Sequence, residues 1–158
     1  EKEYLINYFL DQFKGTLYRQ TMFAEFEKHT HELIKDGKTL TAEVLCGAYK
    51  ELNKKYFGPD MVVDEEIAYE WARIPHFYTP FYVYQYATGF AAAIAIGSRI
   101  LKGEEGAVEA YKQFLSGGSS MSPIELLKLC HVDMTGNEPI ERALEVFESY
   151  VKELESLS

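Results

Sequence analysis

The chain has 158 residues, of which 25 are acidic and 16 basic, for a net charge of −9, and 47% are hydrophobic. That much negative charge excludes a protein that tracks nucleic-acid phosphates, and that much apolar content excludes a disordered acidic chain. A chain of this length can bury roughly two-thirds of its unfolded surface, enough for one core. Its two cysteines, Cys46 and Cys130, are too few for a disulfide scaffold and have no CxxC spacing, so reduced thiols in a cytoplasmic protein are expected.

The sequence opens at Glu1-Lys2-Glu3-Tyr4 with no initiator methionine and no signal-peptide pattern, and reads as a piece of something longer. From Tyr4 to about Ile34, Leu5, Phe9, Phe13, Leu17, Phe23, Phe26 and Leu33 recur at helical spacing, with Gly37 placed to end the helix. Thr41 can cap a second helix running to about Tyr56, its inner face Val44, Leu45, Ala48, Tyr49 and Leu52, and Gly58-Pro59 ends it. A short amphipathic helix with Ile67, Ala68 and Trp71 is predicted from Asp64. Between Phe77 and Ser98 there is no charged residue. Thr79, Gln85, Thr88 and several tyrosine hydroxyls suit protein interior better than lipid, so this stretch is read as a central helix buried on nearly every side and not as a membrane span.

Further helices are predicted from Glu104 to Leu115, with Val108, Tyr111 and Leu115 inward, and from Pro123 to about His131. Ser122-Pro123-Ile124-Glu125 there has the pattern of a capping box. The last helix, about Pro139 to Leu154, carries an apolar stripe of Ile140, Ala143, Leu144, Phe147, Val151 and Leu154. No alternating strand pattern and no internal repeat occur. The predicted fold is all-α, a single helical segment over residues 1–158.

Several groupings could carry chemistry. Glu25 with His29, and Glu27 with His31, stand four apart and share helix faces, and His31-Glu32 begins like an HExxH motif. The motif fails at Lys35, which would bring a positive charge to any cation, so a solvated polar face is expected and no metal site. Cys130 adjoins His131, but neighbours on a helix point about 100° apart, which argues against a thiolate and imidazole pair. The run from Ile74 to Tyr86 sets His76 among Tyr78, Tyr82, Tyr84 and Tyr86, with Pro75 and Pro80 preventing regular helix until about Thr79. Beyond that point Phe81, Tyr84 and Gln85 would line one side of the helix, and Tyr82, Val83 and Tyr86 the other. Such neutral donors can stabilise an oxyanion, and aromatic bodies can equally fill a core while their hydroxyls find partners.

The runs Gln12-Phe13-Lys14-Gly15-Thr16-Leu17-Tyr18-Arg19-Gln20-Thr21-Met22-Phe23-Ala24-Glu25-Phe26-Glu27 and Ile74-Pro75-His76-Phe77-Tyr78 through Phe81-Tyr82-Val83-Tyr84-Gln85-Tyr86-Ala87-Thr88-Gly89 resemble the C-terminal part of the oligoendopeptidase F family, zinc peptidases of the thimet oligopeptidase superfamily. That resemblance implies an all-helical cytoplasmic enzyme that encloses short peptides in a deep channel. Its zinc would be held by an HExxH helix and a glutamate on a following helix. Neither is in this sequence, so the resemblance places the zinc ligands in a missing N-terminal part, and no cofactor is expected for this chain alone. It implies that His76 binds substrate backbone, that Tyr84 stabilises the tetrahedral intermediate as the catalytic residue of this segment, and that Tyr78 is a further substrate contact. Phe81 stands where relatives can carry a second tyrosine. The chain alone is expected to be inactive, with short peptides and the missing part of the enzyme as partners, and neither nucleic acid nor membrane. Apolar surface left open by the missing part would allow a homo-oligomer. The alternative reading is a non-catalytic helical binding or oligomerisation module.

Overall fold

The computed structural model describes residues 1–157, and among them every regular element is helical: α1 (Lys2–Gln12), a π-helical turn (Phe13–Tyr18), α2 (Arg19–Lys35), α3 (Ala42–Phe57), two 3-10 segments (Glu65–Arg73 and Pro75–Tyr78), α4 (Tyr84–Leu101), α5 (Ala107–Gly117), α6 (Pro123–Leu129) and α7 (Glu138–Leu157). The all-α expectation holds. The first predicted helix is a continuous helical run interrupted by the π turn around Gly15. That extra residue shifts the buried positions from Leu17 to Met22, a step of five where the preceding pattern steps by four.

The chain divides into two compact units, Lys14–Ala87, and Glu1–Phe13 with the chain from Thr88 onward. In the first unit, α2, α3 and the 3-10 helix Glu65–Arg73 enclose a core of Met22, Phe23, Phe26, Tyr49, Ile74 and Val83. Helix α2 ends as its glycine suggested: Gly37 takes φ 72°, its N–H reaches the Ile34 carbonyl, and the Lys38 N–H reaches Leu33, a Schellman closure. The Thr41 side chain accepts the Val44 N–H at 3.3 Å and starts α3. The amphipathic helix from Asp64 is a 3-10 helix, with Ala68 buried and Ile67 and Trp71 packed against the core.

In the second unit the rings of Phe9, Phe13, Phe90, Phe147 and Tyr150 form a cluster with centroids 4.9–5.4 Å apart, its contacts edge-to-face except the tilted pair Phe13 and Phe147. A second apolar group joins Ala92, Ala95 and Ile96 of α4 to Cys130 and Val132. The Ser122 and Glu125 capping box forms as the sequence indicated. Other expectations change. Helix α5 turns Ala107, Ala110, Tyr111 and Phe114 inward, leaving Val108 and Leu115 exposed. Ile140 and Leu144 of the α7 stripe and Leu5 of α1 are exposed, with Ile6 buried in place of Leu5. The uncharged stretch is not buried on nearly every side. Along α4, Ala87, Ala91, Ala92, Ala95 and Ile96 are buried, while Tyr84 and Tyr86 are exposed, and a Cβ at Gly89 or Gly97 would meet nothing within 4 Å. Among the described residues, no helix is long and apolar enough to cross a membrane.

Candidate functional site

The segment from Ile74 to Tyr86 lies entirely in the first unit. A residue before proline is driven to extended backbone, and Ile74 (ψ 104°) and Thr79 (ψ 93°) both obey. Between them the turn Pro75–Tyr78 is anchored by Phe77, whose ring meets Phe23 and Phe26 of α2 at 5.4 and 5.3 Å. With Ile74 and Phe77 turned inward, His76 and Tyr78 are left toward solvent, and Tyr78 is 82% exposed.

Regular helix does not resume at Thr79 as the proline spacing predicted; it resumes at Tyr84. The cause is Phe81, whose φ of 59° is left-handed. Proline followed by a positive φ is the pattern of a type II turn, where glycine or asparagine normally takes the second place. For a residue with a Cβ this conformation costs about 1–2 kcal/mol. The Glu27 carboxylate on α2 accepts the Phe81 N–H at 2.6 Å and supplies the offset, a hydrogen bond to a charged acceptor being worth about 1.5–3 kcal/mol. The His31 ring, one helical turn beyond Glu27, stacks on Phe81 at 5.1 Å and 24°.

Val83 and Ala87 are buried four residues apart, which turns the intervening tyrosines outward. They separate into two sets. Tyr82 and Tyr86 pair along the helix start, the Tyr86 hydroxyl donating to that of Tyr82 at 3.0 Å. His76 stacks on Tyr82 at 5.6 Å and 6°, with its Nε2 3.4 Å from the Tyr86 hydroxyl. Donation to Tyr82 holds the Tyr86 phenol above its ordinary pKa, so it stays protonated and able to donate. Tyr84, 48% exposed, lines a cavity of about 360 Å³ with Phe81, Ala24, Glu27, His31 and Lys35. The structure therefore groups His76 with Tyr82 and Tyr86, and Tyr84 with Phe81 and His31. Tyr78 stands apart from both sets. The solvated polar face expected for Glu25, Glu27, His29 and His31 does not hold at Glu27, which is buried: it follows Phe23 by four, so its carboxylate falls on the buried stripe of α2 and meets the Phe81 N–H.

A second network braces the unit beneath these residues. Glu70, 8% exposed, accepts from Arg19 at 2.6 Å and from Arg73 through one oxygen, and from the buried Tyr49 hydroxyl at 2.7 Å through the other. Burial alone would raise the Glu70 carboxyl, but the Arg19 and Tyr49 hydrogen bonds and the two arginine charges outweigh it and hold it below the ordinary carboxylate range. Arg19 is thus a structural ion-pair partner.

Zinc does not fit the residues present. Glu25 is taken by Lys55 at 2.6 Å and Tyr56 at 2.8 Å, Glu27 by Phe81, and among the described residues no three His, Cys, Asp or Glu side chains are grouped to hold a metal ion. Cys130 and His131 stand at the C-terminal end of α6. The thiol donates to the Ala110 carbonyl and is pushed up by burial, while His131 takes φ 57° at the Schellman end of α6.

The model for Peptidase family M3 matches residues 1–146. The chain belongs to peptidase family M3. This M3 chain is 53% identical over 157 residues to Oligopeptidase PepF of Bacillus subtilis and 45% identical over 157 residues to the plasmid-encoded Oligoendopeptidase F of Lactococcus lactis subsp. cremoris. It covers 99% of itself and 23% and 26% of those two proteins, so it spans about a quarter of the length of the curated relatives it matches. The crystal structure of oligoendopeptidase-F from Enterococcus faecium superposes with a TM-score of 0.96 at 48% identity, over 99% of this chain and 30% of that one. The helical M3 fold is shared at that level.

Proposed function

We propose that this M3 segment is the C-terminal part of a zinc-dependent oligoendopeptidase that hydrolyses short peptides in the cytoplasm, and that it contributes one wall of the active site. In this reading the Tyr84 phenol donates a hydrogen bond to the oxyanion that develops when a peptide carbonyl becomes tetrahedral. His76, and beside it Tyr78, bind substrate backbone. The metal ligands belong to the rest of the enzyme, which is the segment's principal partner.

The observation that carries the proposal is the placement of Tyr84, half-exposed on the wall of a cavity and set on the first residue of a helix that Val83 and Ala87 pin to the core. A donor held on a packed element needs no reorganisation when charge develops, which is the condition for oxyanion stabilisation. His76 has the complementary property. Stacked on Tyr82 and edged by Tyr86, it has a fixed ring plane and can offer a ring nitrogen to a peptide.

The test is steady-state kinetics on the full-length enzyme. Tyr84→Phe is expected to lower kcat by about 10²–10³ with KM within about threefold, the loss seen when one oxyanion donor is removed. His76→Ala is expected to act mainly on KM. A Tyr84→Phe enzyme that keeps kcat within threefold of the parent overturns the proposal.

A further inference from the structure

We infer that Glu27 is a positioning residue for Tyr84: its buried carboxylate clamps the Phe81 N–H and so sets the left-handed turn from which α4 departs. The inference rests on the proposed role of Tyr84 and adds what holds that residue in place.

Glu27 is 8% exposed, and among the described residues it pairs with no lysine or arginine. A buried carboxylate without a cation is unfavourable, and an apolar side chain of similar size would pack the same α2 face without that penalty. The specific thing the carboxylate does is accept the Phe81 N–H at 2.6 Å. The donor lies 54 residues away in sequence, at the one residue between Thr79 and Tyr84 that has a positive φ. Phe81 is held on its other sides as well. Its carbonyl accepts from Gln85 Nε2 at 3.2 Å, and its ring is covered by His31.

Tyr84 follows Phe81 by three residues and opens α4, whose first turn closes through Gln85 N–H to the Tyr82 carbonyl and Tyr86 N–H to the Val83 carbonyl, both at 3.2 Å. If the clamp is lost, Phe81 can relax toward negative φ, which swings the chain that follows it. Glu27, His31, Phe81 and Tyr84 line one cavity, so the displacement falls where the proposed oxyanion donor works. A misplacement of about 1 Å at such a donor can cost about a hundredfold in rate.

The experiment uses the full-length enzyme with Glu27→Ala, Glu27→Gln, Glu27→Asp, Tyr84→Phe and the Glu27→Ala, Tyr84→Phe double variant. Gln keeps the reach and an acceptor oxygen but no charge; Asp keeps the charge but falls short of the N–H. Glu27→Ala and Glu27→Asp are expected to lower kcat by about ten- to a hundredfold with KM within threefold, and Glu27→Gln to recover most of that loss. In the Tyr84→Phe background, removing Glu27 is expected to cost less than about threefold more, because it acts through the missing hydroxyl. Amide hydrogen exchange at Phe81 is expected to speed up in the Ala and Asp variants. A fully additive double variant, a Gln variant as slow as Ala, or unchanged Phe81 exchange in Glu27→Ala would overturn the inference. An unaffected Tyr84→Phe enzyme would instead overturn the role of Tyr84, and Phe81 exchange would still decide the clamp.

Discussion

Replacing Glu70 by alanine is the most informative test of what holds the first unit together. The substitution leaves the buried Tyr49 hydroxyl without its acceptor and the Arg19 guanidinium, on a side chain 29% exposed, without its carboxylate. The Tyr49 bond to a charged acceptor is worth about 1.5–3 kcal/mol, and breaking a buried pair by deleting one partner costs about 3–5 kcal/mol in all. Arg73, on a side chain 71% exposed, adds at most about 1 kcal/mol. Trp71 is the only tryptophan of the sequence, and its indole N–H donates to Cys46 Sγ at 3.4 Å within the same unit, so its fluorescence in a urea titration reads the event locally. At a slope of about 2 kcal/mol per molar urea, a loss of about 4 kcal/mol moves the midpoint down by about 2 M. Because the folded-state carboxyl lies below its ordinary range, its contribution is present above that range and disappears as pH falls through the lower value. The midpoints of the parent and Glu70→Gln should therefore converge on acidification below about pH 4. A Glu70→Ala loss under about 1 kcal/mol, or Arg73→Ala as costly as Glu70→Ala, refutes the reasoning.

Other outcomes are expected from single features. Ser122→Ala removes the hydroxyl that accepts the Glu125 N–H, leaving only the Ser122 N–H to Glu125 half of the α6 capping box, and should cost about 1 kcal/mol in thermal denaturation, with no effect if the cap is idle. A thiol reagent at pH 8 should modify half-buried Cys46 first, and Cys130, 3% exposed with its pKa raised by burial, only on denaturation. The 158-residue chain on its own should bind less than stoichiometric zinc after dialysis and release no product from short peptides. One zinc per chain, or activity lost on Tyr84→Phe in the isolated chain, would contradict that.

Much of the fold was legible because its signals are local. The Ser122 capping box, the Thr41 cap and the Gly37 Schellman end each join groups within a few residues, and each forms where the sequence places it. Helical spacing also found Phe23 and Phe26 in the core, but it could not tell Ile6 from Leu5, or Ala110 from Leu115. Which flank of an apolar stripe faces inward depends on the neighbouring element, and spacing along one helix carries no knowledge of it.

At the site the same division holds. His76, Tyr78 and Tyr84 could be named from the sequence because one uncharged aromatic run contains them and resembles a family's runs. That run could not reveal that helix resumes five residues later than its prolines suggest, since the cause is a carboxylate on α2, 54 positions away, holding Phe81 at positive φ. Nor could it show that Glu70 is the hub joining Arg19, 51 positions off, to Tyr49. By itself the sequence determined the all-helical fold, the capped helix ends and the family, because caps and periodicity act within a few residues along one chain segment. The tertiary structure alone decided which side chains share a surface, separating His76 with Tyr82 and Tyr86 from Tyr84 with Phe81 and His31, because buried hydrogen bonds across long sequence separations set where each segment turns.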